Sequence, residues 1–226
     1  MSRINKFYIN IGKRVLDIMF SLFLLICLFP VLVVVSILIK FKLGSPVIFS
    51  QQRPGLNNEI FRMFKFRSMT NEKDLHGNLL PDEVRVTRFG KLLRESSLDE
   101  LPELWNIFKG DMSFVGPRPQ LVKDLIFMSD DERKRHNVLP GLTGWAQVNG
   151  RNNISWEDKF KFDLFYIENQ SFTLDIKIIF MTIFKVIKKS DINTNGMETA
   201  EDLGDYLLRV GKIDKKKYNY LNSLIK

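Results

Sequence analysis

The amino-acid sequence predicts an α+β fold: a mostly helical, membrane-associated domain with a small β-hairpin and an N-terminal membrane helix kinked at Pro30. Three observations support this prediction. Residues 18–39 form one uncharged apolar run, two short apolar runs flank a Pro-Gly turn within residues 45–67, and apolar residues recur at helical spacing in several segments after residue 88.

The apolar run, "IMFSLFLLICLFPVLVVVSILI", is the first element. As a straight helix it would be roughly 33 Å long, enough to cross the hydrocarbon of a bilayer. It is too long for the apolar part of a signal peptide, and no small-x-small cleavage pattern follows it. Pro30 removes a helical hydrogen bond near its middle, and basic residues flank both ends, so neither orientation is favoured. Two alternatives stay open: a spanning helix, and a re-entrant helix that enters one leaflet and returns.

Residues 45–67 are the second element, predicted as a β-hairpin. The runs "PVIFSQ" and "EIFRMFKF" suit strands, and "RPGLNN" between them has Pro-Gly turn chemistry. The polar stretch at residues 72–83 is interrupted by Gly77 and Pro81, which predicts a surface loop.

Helices are predicted next at residues 88–95, 97–109 and 119–136. The segment "GDMSFVGPRP" is predicted as a short extended piece between two turns, and "LPGLTGWAQVNGRNN" as a glycine-rich loop. A further helix is expected to present a core stripe, because apolar residues repeat there at helical spacing: Trp156, Phe160, Leu164 and Ile167.

Residues 172–190 combine many apolar residues with lysines, among them Lys185, Lys188 and Lys189. This pattern suits an amphipathic helix in a membrane interface, and it suits equally a core helix with a basic end. The chain after Ser190 is polar, with one helix predicted near residues 198–210.

The composition limits the classes of function. A formal net charge of +8 and a pI of about 9.5 indicate an anionic partner, which could be nucleic acid, acidic lipid or a phosphorylated substrate. Nucleic acid is disfavoured because the positive charge is spread along the chain and no recognisable module is present. Cys27 is the only cysteine, so an intrachain disulfide is impossible, and His76 and His136 lie too far apart in sequence to predict a structural zinc site.

The stretch "LDELPELWN", Leu98–Asn106, places the carboxylates Asp99 and Glu100 side by side. A structural interpretation is a capping box, in which Ser97 and Glu100 satisfy the first free N–H groups of a helix. A catalytic interpretation is that one carboxylate attacks phosphorus while its neighbour orients it or binds a metal. On a helix the two side chains would point roughly 100° apart, which argues against a glycosidase, whose carboxylates face each other.

Cationic residues beside turns are the other candidates for a site. Alone, each would be a solvated surface charge, but around one pocket they would hold a pyrophosphate, because Arg presents a planar fork to phosphate oxygens. They are Lys65, Arg67, Arg94, Arg118 and Arg151.

Three stretches together resemble the bacterial sugar transferase family, the monotopic polyprenyl-phosphate phosphoglycosyl transferases. They are "KFRSM", "SSLDELPELWNIFKGDMSFVGPRP" and "LPGLTGWAQVNGRNNISWEDKFKFDLFYIENQSFTLDIKIIF". The resemblance runs in order from about Lys13 to Ser190. The length is similar to that of the small single-domain members, such as the undecaprenyl-phosphate diacetylbacillosamine-phosphate transferases.

The resemblance implies a reaction and a site. A UDP-sugar would donate its sugar 1-phosphate to undecaprenyl phosphate, releasing UMP, as the first membrane step of glycoconjugate assembly. Asp99 would attack the β-phosphate and form a covalent phosphosugar intermediate, with Glu100 assisting in charge or proton handling. Mg²⁺ would neutralise the donor pyrophosphate, with Asp99 as its protein contact. The substrate-binding cations would be Lys65, Arg94, Arg118 and Arg151.

The resemblance also implies an architecture and a location. Residues 1–42 would be a re-entrant membrane helix, residues 43–190 the catalytic domain with interfacial amphipathic helices, and residues 191–226 a polar tail whose role the sequence does not indicate. The protein would be monotopic, on the cytoplasmic face of the bacterial inner membrane and in contact with phospholipid. The family bends its helix at a Ser-Pro pair, whereas Phe29 precedes Pro30 here, so no serine hydroxyl stabilises the bend.

An alternative from another class is a membrane-anchored adaptor whose basic surface binds acidic lipid or a protein partner. Changes at Asp99 would leave an adaptor functional, whereas removing the charges of Lys185, Lys188 and Lys189 would abolish its binding. The sequence leaves open which UDP-sugar is used, which glycoconjugate results, and whether the chain forms a homodimer.

Overall fold

The computed structural model describes residues 3–150, 154–188 and 201–224. The described chain is mostly helical and carries two small two-stranded sheets, which confirms the α+β class. In chain order its helices are α1 (Arg3–Phe7), α2 (Lys13–Cys27), α3 (Phe29–Lys42), α4 (Asp82–Arg85), α5 (Arg88–Glu95), α6 (Glu103–Lys109), α7 (Asp130–Arg133), α8 (Trp145–Asn149), α9 (Trp156–Asn169), α10 (Phe172–Lys188), α11 (Leu203–Arg209) and α12 (Lys215–Ser223).

The N-terminal helices form one bent unit. α1 continues through a π-helical turn, Tyr8–Gly12, into α2, and α3 begins immediately after Leu28. The two arms are bent by 62° at this break, and within the described residues only this bent pair, and no single helix, has the length and apolar character needed to cross a bilayer. Pro30 is the second residue of α3, and because it has no N–H the hydrogen-bond ladder of α2 cannot continue through it.

The predicted hairpin is confirmed. β1 (Ile48–Pro54) pairs antiparallel with β2 (Ile60–Phe66), with Ile48 opposite Phe66 at the open end. The connecting turn places Asn57 and Asn58 at φ of 53° and 64°, a left-handed conformation that asparagine tolerates better than most residues. The polar stretch at residues 72–83 is almost entirely exposed, as the prediction of a surface loop requires.

The helix predicted at residues 88–95 is confirmed as α5, but two other predictions are wrong in part. Residues 97–109 are divided into a 3₁₀ turn, Leu98–Glu100, and α6, with Pro102 at the boundary. Residues 119–136 are divided into a 3₁₀ helix, Val122–Phe127, then α7 and a second 3₁₀ stretch, Lys134–Asn137, because local side chains cap the backbone and restart it. Asp124 accepts a hydrogen bond from the Leu121 N–H (3.1 Å), and Ser129 forms a capping box at the start of α7.

The glycine-rich segment predicted as a loop contains regular structure, so that prediction is wrong for residues 141–149. β4 (Gly141–Thr143) pairs in parallel with β3 (Ser113–Val115), and α8 follows. A Cβ atom added at Gly141 would collide with the backbone nitrogen of Gly116. The glycines there permit close approach of two backbones rather than loop flexibility.

Helices α9 and α10 enclose the core beside this small sheet. Trp156 and Phe160 are buried as predicted, whereas further along α9 the most buried residues are Asp163 and Tyr166 instead of Leu164 and Ile167. α10 is amphipathic, with Asp175 and Ile178 buried and with apolar residues exposed: Phe172, Ile176, Phe180, Ile183, Phe184 and Ile187.

The tail helix predicted near residues 198–210 is confirmed over α11, and α12 was not predicted. Leu203 of α11 is buried in one cluster with Met128, Trp156 and Phe160. α11 therefore packs against α9 and against the residues just before α7.

Candidate active site

Four elements bring charged side chains to one place beside the hairpin. β2 carries Lys65, the 3₁₀ turn after α5 carries Asp99 and Glu100, the first residue of α6 is Glu103, and the turn after β3 carries Arg118. Arg118 stands between Pro117 and Pro119, whose rings restrict the backbone on both sides of it.

The predicted capping box at Ser97 is wrong. Ser97 has a φ of 56°, in the left-handed region, and its side chain makes no capping hydrogen bond. The carboxylate of Glu100 instead accepts hydrogen bonds from Lys65 and Arg118. Charge-assisted bonds of this kind are about twice as strong as neutral ones, so they prevail over a single bond to the backbone.

Glu100 is the centre of the cluster. Its Oε1 lies 2.8 Å from the Lys65 Nζ and 2.6 Å from the Arg118 Nη2. The Lys65 Nζ also lies 3.1 Å from Oε1 of Glu103, whose side chain is only 2% exposed. Lys65 therefore bridges Glu100 and Glu103, and Glu100 also binds Arg118.

The three carboxyl groups differ in acidity. Burial raises the pKa of Asp99 to about 6, the negative charge of Glu100 adds to this effect, and Lys65 and Arg118 partly oppose it. Burial likewise raises the pKa of Glu103 to about 7. Burial also disfavours the charged form of Glu100, but Arg118 and Lys65 outweigh it and hold the pKa of Glu100 below its usual range.

Glu103 is a member of the site that the sequence did not single out. It is the third acidic residue of "LDELPELWN", one turn beyond the carboxylate pair, and this spacing was its only signal. Pro102 separates it from the pair and starts α6 at Glu103, which aims the side chain inward at Lys65.

Three of the predicted cations lie outside this cluster or outside the described residues. The charge of Arg94 partly opposes the burial that raises the pKa of Asp99, while the Arg94 Nε donates to the Ser68 Oγ at 2.9 Å. Arg67 is buried and donates to the backbone oxygens of Leu43 and Ser45, so it fastens the hairpin to the end of α3. Arg151 lies outside the described residues.

Two further cations, which the sequence did not indicate as site residues, lie near Arg118. Arg53 donates to the Pro119 oxygen at 3.4 Å, and burial together with the charge of Arg118 lowers its pKa to about 10. Burial lowers the pKa of Lys159 to about 8, with a contribution from the charge of Arg135, and its Nζ lies 4.0 Å from the centre of the Trp156 ring. This side of the cluster is therefore rich in positive charge.

The donor set suits a metal ion held only in part by protein. Within the described residues no group of three or more His, Cys, Asp and Glu side chains could hold a metal ion. The Asp99 carboxylate has no hydrogen-bond or ion-pair partner among the residues that the structure describes. Mg²⁺ commonly binds through one or two carboxylates together with substrate phosphates and water, and Asp99 fits such a single contact.

This geometry can support attack on a phosphate. Asp99, buried and without a partner among the described residues, lies next to the paired Glu100, and arginines and a lysine beside them could neutralise phosphate oxygens. The neighbouring hairpin, α3 and α5 contribute to the same core, because Val35, Ile39, Phe66 and Leu93 pack together.

Comparisons with known proteins agree with this chemistry. A family model described as "Bacterial sugar transferase" matches residues 8–189. The chain is 49% identical over 189 residues to "Uncharacterized sugar transferase EpsL" of Bacillus subtilis (strain 168), which covers 84% of this chain and 94% of that protein.

Two relatives have more specific names. The chain is 43% identical over 189 residues to an undecaprenyl-phosphate glucose phosphotransferase of Komagataeibacter xylinus, covering 77% of this chain and 36% of that protein. It is 38% identical over 186 residues to a UDP-N-acetylgalactosamine-undecaprenyl-phosphate N-acetylgalactosaminephosphotransferase of Aeromonas hydrophila, covering 77% of this chain and 43% of that protein. The chain thus spans less than half the length of these two relatives.

Proposed function

The chain belongs to the bacterial sugar transferase family, and from this premise we propose that it transfers a sugar 1-phosphate from a UDP-sugar to undecaprenyl phosphate. The products are undecaprenyl diphosphate-sugar and UMP. The observation that carries the proposal is the contrast within the carboxylate pair: Glu100 is held by Lys65 and Arg118, whereas Asp99 has no partner among the described residues.

In the first step the Asp99 carboxylate attacks the β-phosphorus of the donor. The bond from that phosphorus to the oxygen bridging the two phosphates breaks, and UMP leaves with the bonding electrons. A pKa of about 6 supports this role, because Asp99 is then mostly ionised at neutral pH yet more basic than an ordinary aspartate. Glu100 is the weaker candidate for attack, since its electron pairs already accept two charge-assisted hydrogen bonds.

In the second step an oxygen of undecaprenyl phosphate attacks the same phosphorus. The bond to Asp99 breaks, its carboxylate is regenerated, and the sugar diphosphate leaves on the lipid. Lys65, Arg94 and Arg118 neutralise phosphate oxygens during both steps, and Glu100 keeps Lys65 and Arg118 positioned between them. Mg²⁺, contacted by Asp99, would supply further neutralisation of the donor pyrophosphate when bound.

The membrane arrangement is part of the same proposal. The 62° bend between α2 and α3 supports a re-entrant helix with both ends on the cytoplasmic face of the bacterial inner membrane. Both arms expose large apolar side chains, including Phe20, Phe23 and Phe41, as a lipid-facing surface requires. Residues 1–42 then form the membrane element, residues 43–190 the catalytic domain with α10 in the interface, and the reaction is the first membrane step of glycoconjugate assembly.

The test measures UMP release by purified protein with undecaprenyl phosphate, Mg²⁺ and a panel of UDP-sugars. We expect release from one donor, and we expect Asp99→Asn to abolish it while Asp130→Asn, in the first turn of α7, retains it. Without acceptor, a donor labelled in the β-phosphate should release about one UMP per protein and leave the label on the chain. Equal release by wild type and Asp99→Asn would contradict the assigned nucleophile.

The adaptor alternative predicts a different result. An adaptor would release no UMP from any donor, and its binding to vesicles that contain acidic lipid would be unaffected by Asp99→Asn. The buried cluster of Lys65, Glu100 and Glu103 favours the transferase, because a lipid-binding surface does not need charges removed from solvent.

A further inference from the structure

The turn that carries Arg118 is fixed on one side by the small parallel sheet. The Gly116 N–H donates to the Thr143 oxygen at 2.9 Å, and the Gly141 N–H donates to the Pro117 oxygen at 3.0 Å. A Cβ atom at Gly116 would collide with the Leu139 oxygen, so the two segments are in close backbone contact. This side of the turn has no room to shift.

The other side of the turn is held by Arg135. Its Nη2 donates to the backbone oxygen of Arg118 at 2.8 Å. The same guanidinium binds Asp163 of α9, with Nε and Nη2 lying 3.0 Å and 2.7 Å from Oδ2. The side chains of Arg135 and Asp163 are only 1% and 2% exposed, and the guanidinium lies over the Phe160 ring at 5.9 Å.

Stability is a poor explanation for this ion pair. Removing two charges from water costs about as much as, or more than, their attraction returns, so apolar residues of similar volume often serve a core equally well. The Arg135 Nη1 is also buried and has no hydrogen-bond partner among the described residues, which adds to the cost. The pair instead restrains the backbone at Arg118, because Arg135 donates to the Arg118 carbonyl oxygen. The Arg118 guanidinium in turn lies 2.6 Å from Glu100.

We propose that the Arg135–Asp163 pair positions Arg118 against Glu100. Among the described residues Arg135 has no hydrogen bond to Asp99 or Glu100, and in this proposal it acts through the Arg118 carbonyl. The inference deepens the proposed function and rests on it for the kinetic part of the test. The ordering of the Arg118 side chain can be measured whether or not the chain turns over a UDP-sugar.

The test compares Arg135→Lys with Arg133→Lys, a matched control in the same segment. Arg133 also donates to two backbone oxygens, those of Leu125 and Met128, but within the described parts of the chain it has no hydrogen bond to the Arg118 turn. Nitrogen-15 relaxation of the Arg118 Nε–H reports its order. We expect the order parameter to fall from a rigid value near ~0.85 towards ~0.6 in Arg135→Lys and to stay high in Arg133→Lys.

The kinetic part uses a double-mutant cycle with Arg118→Lys. We expect Arg135→Lys to reduce kcat/KM for UMP release by up to about a hundredfold, as displacement of a catalytic group does. If Arg135 acts through Arg118, the double variant should be hardly worse than Arg118→Lys alone. The effects of the two substitutions on the midpoint of thermal unfolding should nevertheless add. A merely structural role of Arg135 predicts a different pattern, in which the effects add in both kcat/KM and the unfolding midpoint.

Each outcome is decisive. An unchanged Arg118 order parameter in Arg135→Lys, or losses of kcat/KM that multiply in the double variant, would overturn the positioning role. If wild type releases no UMP from any donor, the proposed function fails, while the relaxation comparison still tests the positioning role. If Arg135→Lys does not fold, Asp163→Asn replaces it, because the amide keeps an acceptor oxygen and is expected to loosen Arg118 in the same direction.

Discussion

The Oε1 atom of Glu100 accepts hydrogen bonds from both Lys65 and Arg118. These two bonds distinguish Glu100 chemically from the adjacent carboxylate, Asp99. Leu98–Glu100 is a 3₁₀ turn, in which successive side chains diverge by about 120°, so Glu100 can face the cations while Asp99 does not pair with them. The charge of Glu100 in turn raises the pKa of Asp99. In the proposed reaction these two residues of similar chemistry therefore take different roles: Glu100 positions the cations and Asp99 reacts.

Removal of Arg118 tests this division at the level of catalysis. Arg118→Ala should reduce kcat/KM for the UDP-sugar by about a hundredfold or more, because it removes a donor aimed at developing phosphate charge. It should leave the protein in the membrane fraction. The control is Arg209→Ala, an exposed arginine of α11 that pairs with Glu201. A loss of membrane association, or an equal loss in the control, would contradict the assignment.

Glu103 predicts a pH dependence of stability. Its pKa is about 7 in the folded protein against an ordinary 4.5, so between these values the folded state retains a proton that the unfolded state loses. Stability from this group is complete below pH 4.5 and falls as the pH rises towards 7. Glu103→Gln removes the penalty and should raise the unfolding midpoint at pH 8 by about 2–4 °C, for a gain of ~1 kcal/mol.

At pH 4.5 wild type and Glu103→Gln should unfold at the same temperature. Glu83→Gln, at an exposed position on α4, should follow the wild-type curve at both pH values. A midpoint for Glu103→Gln that falls at pH 8 would show that the ionised carboxylate stabilises the fold through Lys65.

At the scale of elements, α2 holds the far end of the helix that Glu103 begins. The Arg14 side chain donates to the carbonyl oxygens of Ile107 and Phe108 at 2.6 Å and 2.8 Å, in the last turn of α6. The Ile107 oxygen also accepts a hydrogen bond from the Gly110 N–H at 3.1 Å, just beyond the helix, and a cation suits the negative end of the helix dipole. α2 and the turn that carries the carboxylate pair are therefore connected through α6.

Arg14→Ala should destabilise the protein by ~1–2 kcal/mol, because it leaves two carbonyl oxygens without their charged donor. Thermal unfolding in detergent measures the change, and Arg14→Lys should recover part of it. Arg62→Ala, on the exposed side of β2, should have little effect. An Arg14→Ala variant with unchanged stability would mean that solvent satisfies this helix end as well as Arg14 does.

The bend between α2 and α3 leads to a prediction about topology. Single cysteines at Lys6 and Ser45, in a Cys27→Ser background, should both react with an impermeant thiol reagent only from the cytoplasmic side. Pro30 and the 62° bend are the reason, because in the proposed membrane arrangement they would return the chain to the face from which it entered. Labelling of the two positions from opposite sides would show a spanning helix.

At the scale of the whole molecule, residues 201–224 pack on the chain that precedes them. Leu203 is 1% exposed against Met128, Trp156 and Phe160, and its N–H donates to the Asp124 carboxylate at 3.0 Å. Lys123 pairs with Asp202 beside this contact. The tail thereby covers α9, the helix that supplies Asp163 to the support of Arg118.

Leu203→Ala should destabilise the folded protein by ~2–5 kcal/mol, the usual range for a leucine removed from a closed core. Leu224→Ala is the control, because that leucine is 55% exposed. Differential scanning calorimetry in detergent distinguishes the two. Equal, small effects would mean that the tail detaches from α9 without consequence for the rest of the chain.

The elements that the sequence predicted well depend on near neighbours. The hairpin, α5 and α11 follow from apolar spacing and turn residues within a few positions, and the loop at residues 72–83 follows from its polarity. The predictions that were wrong concern residues whose conformation is set by distant partners. The capping box predicted at Ser97 does not form, because the Glu100 side chain binds Lys65 and Arg118 instead. The loop predicted around Gly141 is part of a sheet, because Gly116 packs closely against Gly141.

By itself the sequence determined the family, the apolar segment with its proline, and most members of the cluster that forms the candidate site: Lys65, Asp99, Glu100 and Arg118. Only the tertiary structure decided which carboxylate has no partner among the described residues, that Glu103 joins the cluster, and that Arg135 connects Asp163 to the Arg118 backbone. The physical reason is that ion pairing and desolvation depend on distance in space. Lys65 and Arg118 reach Glu100 from 35 and 18 positions away along the chain, and local patterns carry no record of such contacts.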